Sequence, residues 1–165
     1  MDTSLSIRLD SVNDDISLMQ RKNGLTFGTD ALLLASYIER TNGDALELGT
    51  GTGVISLLLL KRQKVRAVTA LEVQPEFAKI TEENARINDL GNELKVLCCD
   101  LRDYCNDHKY SMAFTNPPYM RCDSGRRNVF DEKNIARHEV KGTIMDFCKC
   151  TSRSLKFGGA FYAVV

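Results

Sequence analysis

Residues 44–53, Asp-Ala-Leu-Glu-Leu-Gly-Thr-Gly-Thr-Gly, constrain the fold of this chain more than any other stretch. A short apolar run (Ala45, Leu46, Leu48) ends in glycines at alternate positions, and an amphipathic helical pattern follows over Val54 to Lys61. The order predicts strand, tight turn, helix. With glycine at 49, 51 and 53, the backbone of the turn can take φ > 0 and approach a ligand closely. The helix beyond would offer its first N–H groups to the same ligand. The spacing is G-x-G-x-G, not the G-x-G-x-x-G that holds a dinucleotide pyrophosphate. Glu47, two places before the first glycine, would repel a phosphate and suit a ligand carrying positive charge. A glycine turn that only packs a helix on a sheet is the other reading of the same letters.

The rest of the chain alternates in the same way. Ile16 to Gln20 and Leu25 to Phe27 read as a hairpin turning at Asn23-Gly24. Thr29 is placed to cap a helix over Ala31 to Ile38, with Asp30 in its first turn. Strands are predicted at 45–48, 67–73, 94–99, 112–115 and 160–165. Helices are predicted from Val54, from Pro75, and over Ile144 to Leu155, where Gly158-Gly159 is a break. Strands alternating with helices predict an α/β fold with a doubly wound parallel sheet. Residues 1–43 form an N-terminal hairpin and helix on a core of residues 44–165. A doubly wound sheet should not stop on a strand, so the end at Val165 implies a C-terminally truncated piece.

At 165 residues the chain is long enough for one real core. Lys+Arg and Asp+Glu both total 22, so overall charge points to neither nucleic acid nor membrane. No apolar run reaches transmembrane length and no signal-peptide pattern opens the chain. The 6 cysteines form no C-x-x-C pair, which favours reduced packing thiols, a cytoplasmic setting and no metal.

In open α/β sheets ligands bind outside the carboxyl ends of the strands. Those ends carry Gly49, Glu72, Asp100 and Asn116 here. Glu72, with Val73 beside it, could accept from two ribose hydroxyls, or be a solvated strand end. Asp100 could accept from an adenine amino group with Leu101 against the ring, or simply form a turn. Asn116-Pro117-Pro118-Tyr119 is the sharpest signal. Two prolines fix the backbone, aiming the Asn116 side chain and the Pro117 carbonyl at one point. Two such acceptors can bind both N–H groups of a planar amine and localise its lone pair, provided the help strengthens in the transition state. Tyr119 could stack on a planar substrate.

Glu47 to Gly53 resembles the E/D-x-G-x-G-x-G turn of class I methyltransferases, and Asn116 to Tyr119 resembles the motif of those that modify planar nitrogens. Two more segments, Gly24 to Ala35 and Asn134 to Glu139, are similar to the tRNA adenine-N6 methyltransferase family that acts beside the anticodon of a valine tRNA. The resemblance implies a Rossmann-like class I methyltransferase sheet lacking its last strands, S-adenosylmethionine as cofactor, and methyl transfer to adenine N6 of tRNA. It assigns Phe27, Thr29, Glu47, Gly49, Gly51, Gly53, Glu72, Val73, Asp100, Leu101 and Asn116 to the cofactor. Asn116, Pro117, Pro118 and Tyr119 go to the reacting amine. Residues 27–30 would border the methionine end.

Residues 120–157 hold nine Lys/Arg against five Asp/Glu. Arg121, Arg126, Arg127, Arg137 and His138 are therefore candidates for contact with tRNA phosphates. Three alternatives stay open: a glutamine amide in a release factor as substrate, adenine in DNA, and a cofactor-binding module that does not catalyse.

Overall fold

The computed structural model describes residues 7–22, 27–104, 107–117 and 143–164. Its centre is a five-stranded sheet in the order β5-β4-β3-β6-β7, formed by β3 (Ala45–Leu48), β4 (Val68–Glu72), β5 (Leu94–Cys98), β6 (Tyr110–Thr115) and β7 (Leu155–Ala163). All four pairings are parallel. The chain runs outward from β3 through β4 to β5, then crosses back so that β6 lies on the other side of β3. The switch point therefore falls between β3 and β6, above the glycine turn.

Alternation along the strands divides the core. Ala45, Val68, Ala70, Met112 and Phe114 face helices α1 (Thr29–Tyr37), α2 (Val54–Lys61) and α3 (Pro75–Ile87), whereas Leu46, Leu48, Leu71 and Ala113 face α4 (Ile144–Ser154). Every residue of α2 from Val54 to Leu60 is buried, so this helix is enclosed on all sides and not amphipathic as its pattern suggested. The carboxyl end of α1 is held by Lys64, whose Nζ donates to the carbonyls of Ala35, Ser36 and Ile38.

Strand β3 and helix α2 have the predicted bounds, and Pro75 opens α3 as expected. Three expectations need correction. The hairpin lies one arm earlier: β1 (Ile7–Asn13) pairs antiparallel with β2 (Ile16–Arg21). Its turn is closed by Asn13 Oδ1, which accepts from the Asp15 N–H at 2.9 Å. This Asx turn, with Ile16 and Leu18 anchored in the core, sets the pairing; residues 23–26 lie outside the described ones.

Thr29 is not a cap. Gly28 takes the N-cap position in extended conformation without a side-chain bond, and Thr29 is already helical. Nor do Gly158-Gly159 precede the last strand. β7 begins at Leu155 directly after α4, and a register shift opposite Tyr110–Met112 takes up the glycines, Gly158 at φ 76°. The turn before β6 secures this junction, since the N–H groups of His108 and Lys109 donate to the carbonyls of Arg153 and Ser154.

Candidate functional site

The turn after β3 has the left-handed conformation that its glycines allow: φ is 70° at Gly49, 60° at Gly51 and 82° at Gly53. Its polar groups are tied down from below and behind. The N–H groups of Gly49 and Thr50 donate to Leu71 O at 2.9 and 3.0 Å, which splays the turn over the end of β4. Gly51 N–H donates to Glu72 Oε2, while Glu72 Oε1 accepts from Gln74 N–H, both at 2.9 Å. A Cβ placed on Gly51 would meet nothing within 4 Å, so open space lies where a side chain would have been.

That space belongs to a cavity of about 420 Å³ at the carboxyl ends of β3, β4, β5 and β6. Phe27, Glu47, Gly49, Gly51, Glu72, Val73, Asp100, Leu101, Asn116 and Pro117 line it together, although they come from five separate parts of the chain. Thr29 and Gly53 are not in the lining. Gly53 has a packing role instead, because a Cβ there would stand 2.7 Å from Thr81 Cγ2 on α3. Pro118, Tyr119, Arg121, Arg126, Arg127, Arg137 and His138 lie outside the described residues.

The lining is acidic: Asp30, Glu47, Glu72 and Asp100 contribute to it, and among its described residues there is no Lys, Arg or His. Glu47 is the most perturbed of these groups. Burial pushes its carboxyl up to about 7 from an ordinary 4.5, against the hydrogen bonds from Ser56 and Thr50, and the nearby Glu72 adds to the rise. Both hydroxyls donate to the same oxygen, Oε2, Thr50 at 2.6 Å. Among the described residues no cation acts on it, so this buried carboxyl has no positive partner there. Asp100 is different. The Arg102 guanidinium bonds both its oxygens and holds its carboxyl below the usual range. The arginine and its backbone N–H also make Asp100 the turn-former that was one of its two readings.

The Asn116 side chain has no hydrogen bond among the described residues, and Asn116 and Pro117 are half-buried at the end of β6. Thr115 anchors them, its hydroxyl donating to Leu48 O at 2.7 Å. Sequence reasoning missed Phe147 and Cys99 in the wall. Phe147 reaches the turn from α4, its Cε1 3.8 Å from where a Gly49 Cβ would be. It belongs to an apolar helical face that reads only as core. Burial and the adjoining Cys98 push the Cys99 thiol up, so at neutral pH it is a wall group and not a thiolate nucleophile.

The family model for the methyltransferase small domain matches residues 21–165. The chain belongs to that family. Within it, the tRNA1(Val) (adenine(37)-N6)-methyltransferase of Bacteroides fragilis is 31% identical over 152 residues, 87% of this chain and 61% of the relative. The protein of the same name from Pedobacter heparinus is 33% identical over 142 residues, 86% of this chain and 60% of the relative. The chain thus spans about three fifths of the length of these curated relatives.

Among solved structures, M. jannaschii TYW2 in complex with AdoMet matches 94% of this chain and 61% of its own, with a TM-score of 0.64 at 16% identity. A SAM-dependent methyltransferase from Thiobacillus denitrificans in complex with S-adenosyl-L-homocysteine matches 81% of this chain and 46% of its own, with a TM-score of 0.58 at 17% identity. These likenesses establish the Rossmann-like methyltransferase fold.

Proposed function

We propose that this small-domain methyltransferase transfers a methyl group from S-adenosylmethionine to N6 of an adenine in tRNA. One observation carries the reading: a cavity lined by four carboxylates, of which Asp100 is already paired with Arg102, and by no cation among its described residues ends at Asn116-Pro117. Such a lining rejects a phosphate-rich cofactor and attracts one with a sulfonium and an ammonium. The residues fit that group. The space above Gly51 accepts a ligand against bare backbone. Glu47 supplies a buried carboxyl with no cationic partner among the described residues, and a ligand's positive charge would favour its ionised form. Each Glu72 oxygen, though bonded to a backbone N–H, has a second lone pair for a ribose hydroxyl. Leu101 and Phe147 offer apolar walls for a base.

S-adenosylmethionine, when bound, supplies a methyl group made electrophilic by its sulfonium. The chain's own part is to hold the acceptor nitrogen. Asn116 Oδ1 and the Pro117 carbonyl accept from the two amine N–H groups and turn the nitrogen's lone pair toward the cavity. The fixed backbone at Pro117 and the anchor from Thr115 to Leu48 keep those acceptors in place. The methylated nitrogen then gives up its extra proton to water, so no side-chain base is needed. In the same reading Pro118 helps to fix the backbone and Tyr119 stacks on the planar adenine. Arg121, Arg126, Arg127, Arg137 and His138 contact the tRNA.

The names and identities of the relatives support tRNA as the substrate. The test is incubation of the chain with methyl-labelled S-adenosylmethionine and unmodified bulk tRNA, followed by digestion and identification of the labelled nucleoside. N6-methyladenosine is expected. Label on another nucleoside, on a protein glutamine or nowhere would overturn the assignment.

A further inference from the structure

Helix α3 carries the buried Asn84, and one turn on, at its C-cap, stands the buried Asn88. Asparagine is a weak helix former, so a buried one inside the helix at 84 points to a requirement from outside it. Both side chains pair with the open edge of β2 as a neighbouring strand would. Asn88 Oδ1 accepts from Ser17 N–H at 3.0 Å and its Nδ2 donates to Ser17 O at 2.7 Å. Asn84 does the same two residues on, accepting from Met19 N–H at 2.6 Å and donating to Met19 O at 3.1 Å. The amide orientations follow from the partners, because each residue of β2 offers one N–H and one carbonyl.

The remaining N–H of each amide separates the two residues. Asn88 donates to Asn84 O at 2.7 Å, within its own helix. Asn84 donates to Thr52 O at 2.8 Å, inside the glycine turn. One helical turn earlier, Thr81 Oγ1 donates to Gly51 O at 2.7 Å, so α3 holds two successive carbonyls of that turn. A single side chain therefore bonds the N-terminal hairpin and the ligand-facing turn at once, across 65 residues on one side and 32 on the other.

We propose that Asn84 is a positioning residue: it couples the seating of the hairpin to the shape of the Gly49–Gly53 turn and thereby sets the affinity of the cavity. The ligand named in the test rests on the cofactor reading above; the coupling does not. Asn88 is the internal control, since it makes the same contacts with the hairpin and none with the turn.

The experiment compares Asn84→Ala and Asn88→Ala by thermal denaturation, by titration with S-adenosylmethionine, and by amide hydrogen exchange at residues 51–53 in the ligand-free protein. Both variants should lose similar thermal stability. Asn84→Ala should bind roughly fivefold more weakly or worse, the scale of one hydrogen bond, and Asn88→Ala should stay within about twofold of the parent. Exchange at residues 51–53 should be faster in Asn84→Ala than in Asn88→Ala. Equal exchange and equal affinity in the two variants would overturn the proposal. A parent chain that binds no S-adenosylmethionine while the exchange contrast holds would remove the cofactor reading and leave the coupling standing. Where Asn84→Ala does not fold, Asn84→Ser replaces it. If neither folds while Asn88→Ala does, Asn84 is a requirement of the whole fold and the proposal falls.

Discussion

Replacing Glu47 with glutamine should make the ligand-free protein more stable at alkaline pH, by an amount that depends on pH in a defined way. In the folded chain the Glu47 carboxyl titrates near 7, against an ordinary value of 4.5, because burial disfavours its charge. Between those values the folded chain holds a proton that the unfolded chain has released. Stability from this group is therefore full below about pH 4.5, falls as pH rises, and levels off above about pH 7. At about 1.4 kcal/mol for each unit, the loss across the window is about 3 kcal/mol. Glutamine is the same shape and cannot ionise, and its carbonyl can still accept from Thr50 and Ser56, the donors to Oε2. Every other titrating group is shared by the two proteins and cancels in their difference. Urea unfolding at steps from about pH 5 to about pH 8 should show the glutamine variant gaining on the parent as pH rises, with a plateau past neutrality. Parallel curves would refute the reasoning, since they would mean that Glu47 is ionised in the folded protein throughout. A saturating cationic ligand should flatten the parent's slope and leave the variant's unchanged.

Four further outcomes are expected. Gly51→Ala should lose only about 1 kcal/mol of stability, the strain of a left-handed alanine, yet abolish ligand binding, because its methyl enters the cavity. Gly53→Ala should lose more, about 2–3 kcal/mol, because its methyl also meets Thr81; equal shifts in melting temperature would contradict the packing described. Lys64→Met should destabilise the protein by about 2 kcal/mol by uncapping α1, and an unchanged melting temperature would show that this cap does not form in solution. Asn116→Ala should reduce methyl transfer by about 100-fold or more at saturating cofactor, as single-turnover kinetics would show.

The elements at the centre of the fold were legible because their signals are local. Apolar runs of strand length, glycines where φ must be positive and a proline at a helix start all act within a few residues, so β3, the glycine turn, α2 and the start of α3 could be placed from the letters alone. The same locality explains the gathering of Gly49, Glu72, Asp100 and Asn116: in a parallel sheet all carboxyl ends point one way, so alternation by itself puts them on one rim. The misplaced hairpin shows the limit. The Asn23-Gly24 turn lies outside the described residues, whereas the pairing that is described is set where Ile16 and Leu18 reach the core and an Asx turn closes on Asn13.

What only the tertiary structure decided depends on groups that meet across tens of residues. Nothing near Asn84 in the chain says that its amide will join β2 to Thr52, and nothing near Lys64 says that it will cap α1. The charge of Glu47 is of the same kind. Its letter marked a residue suited to a positive ligand, but its titration near neutrality follows from burial among Ser56, Thr50 and Glu72, which the sheet and α2 create together. Sequence thus determined which chemical groups stand at the rim of the sheet. Folding determined which of them already have partners and which are left for a ligand, because pairing and burial are properties of neighbours in space and not along the chain.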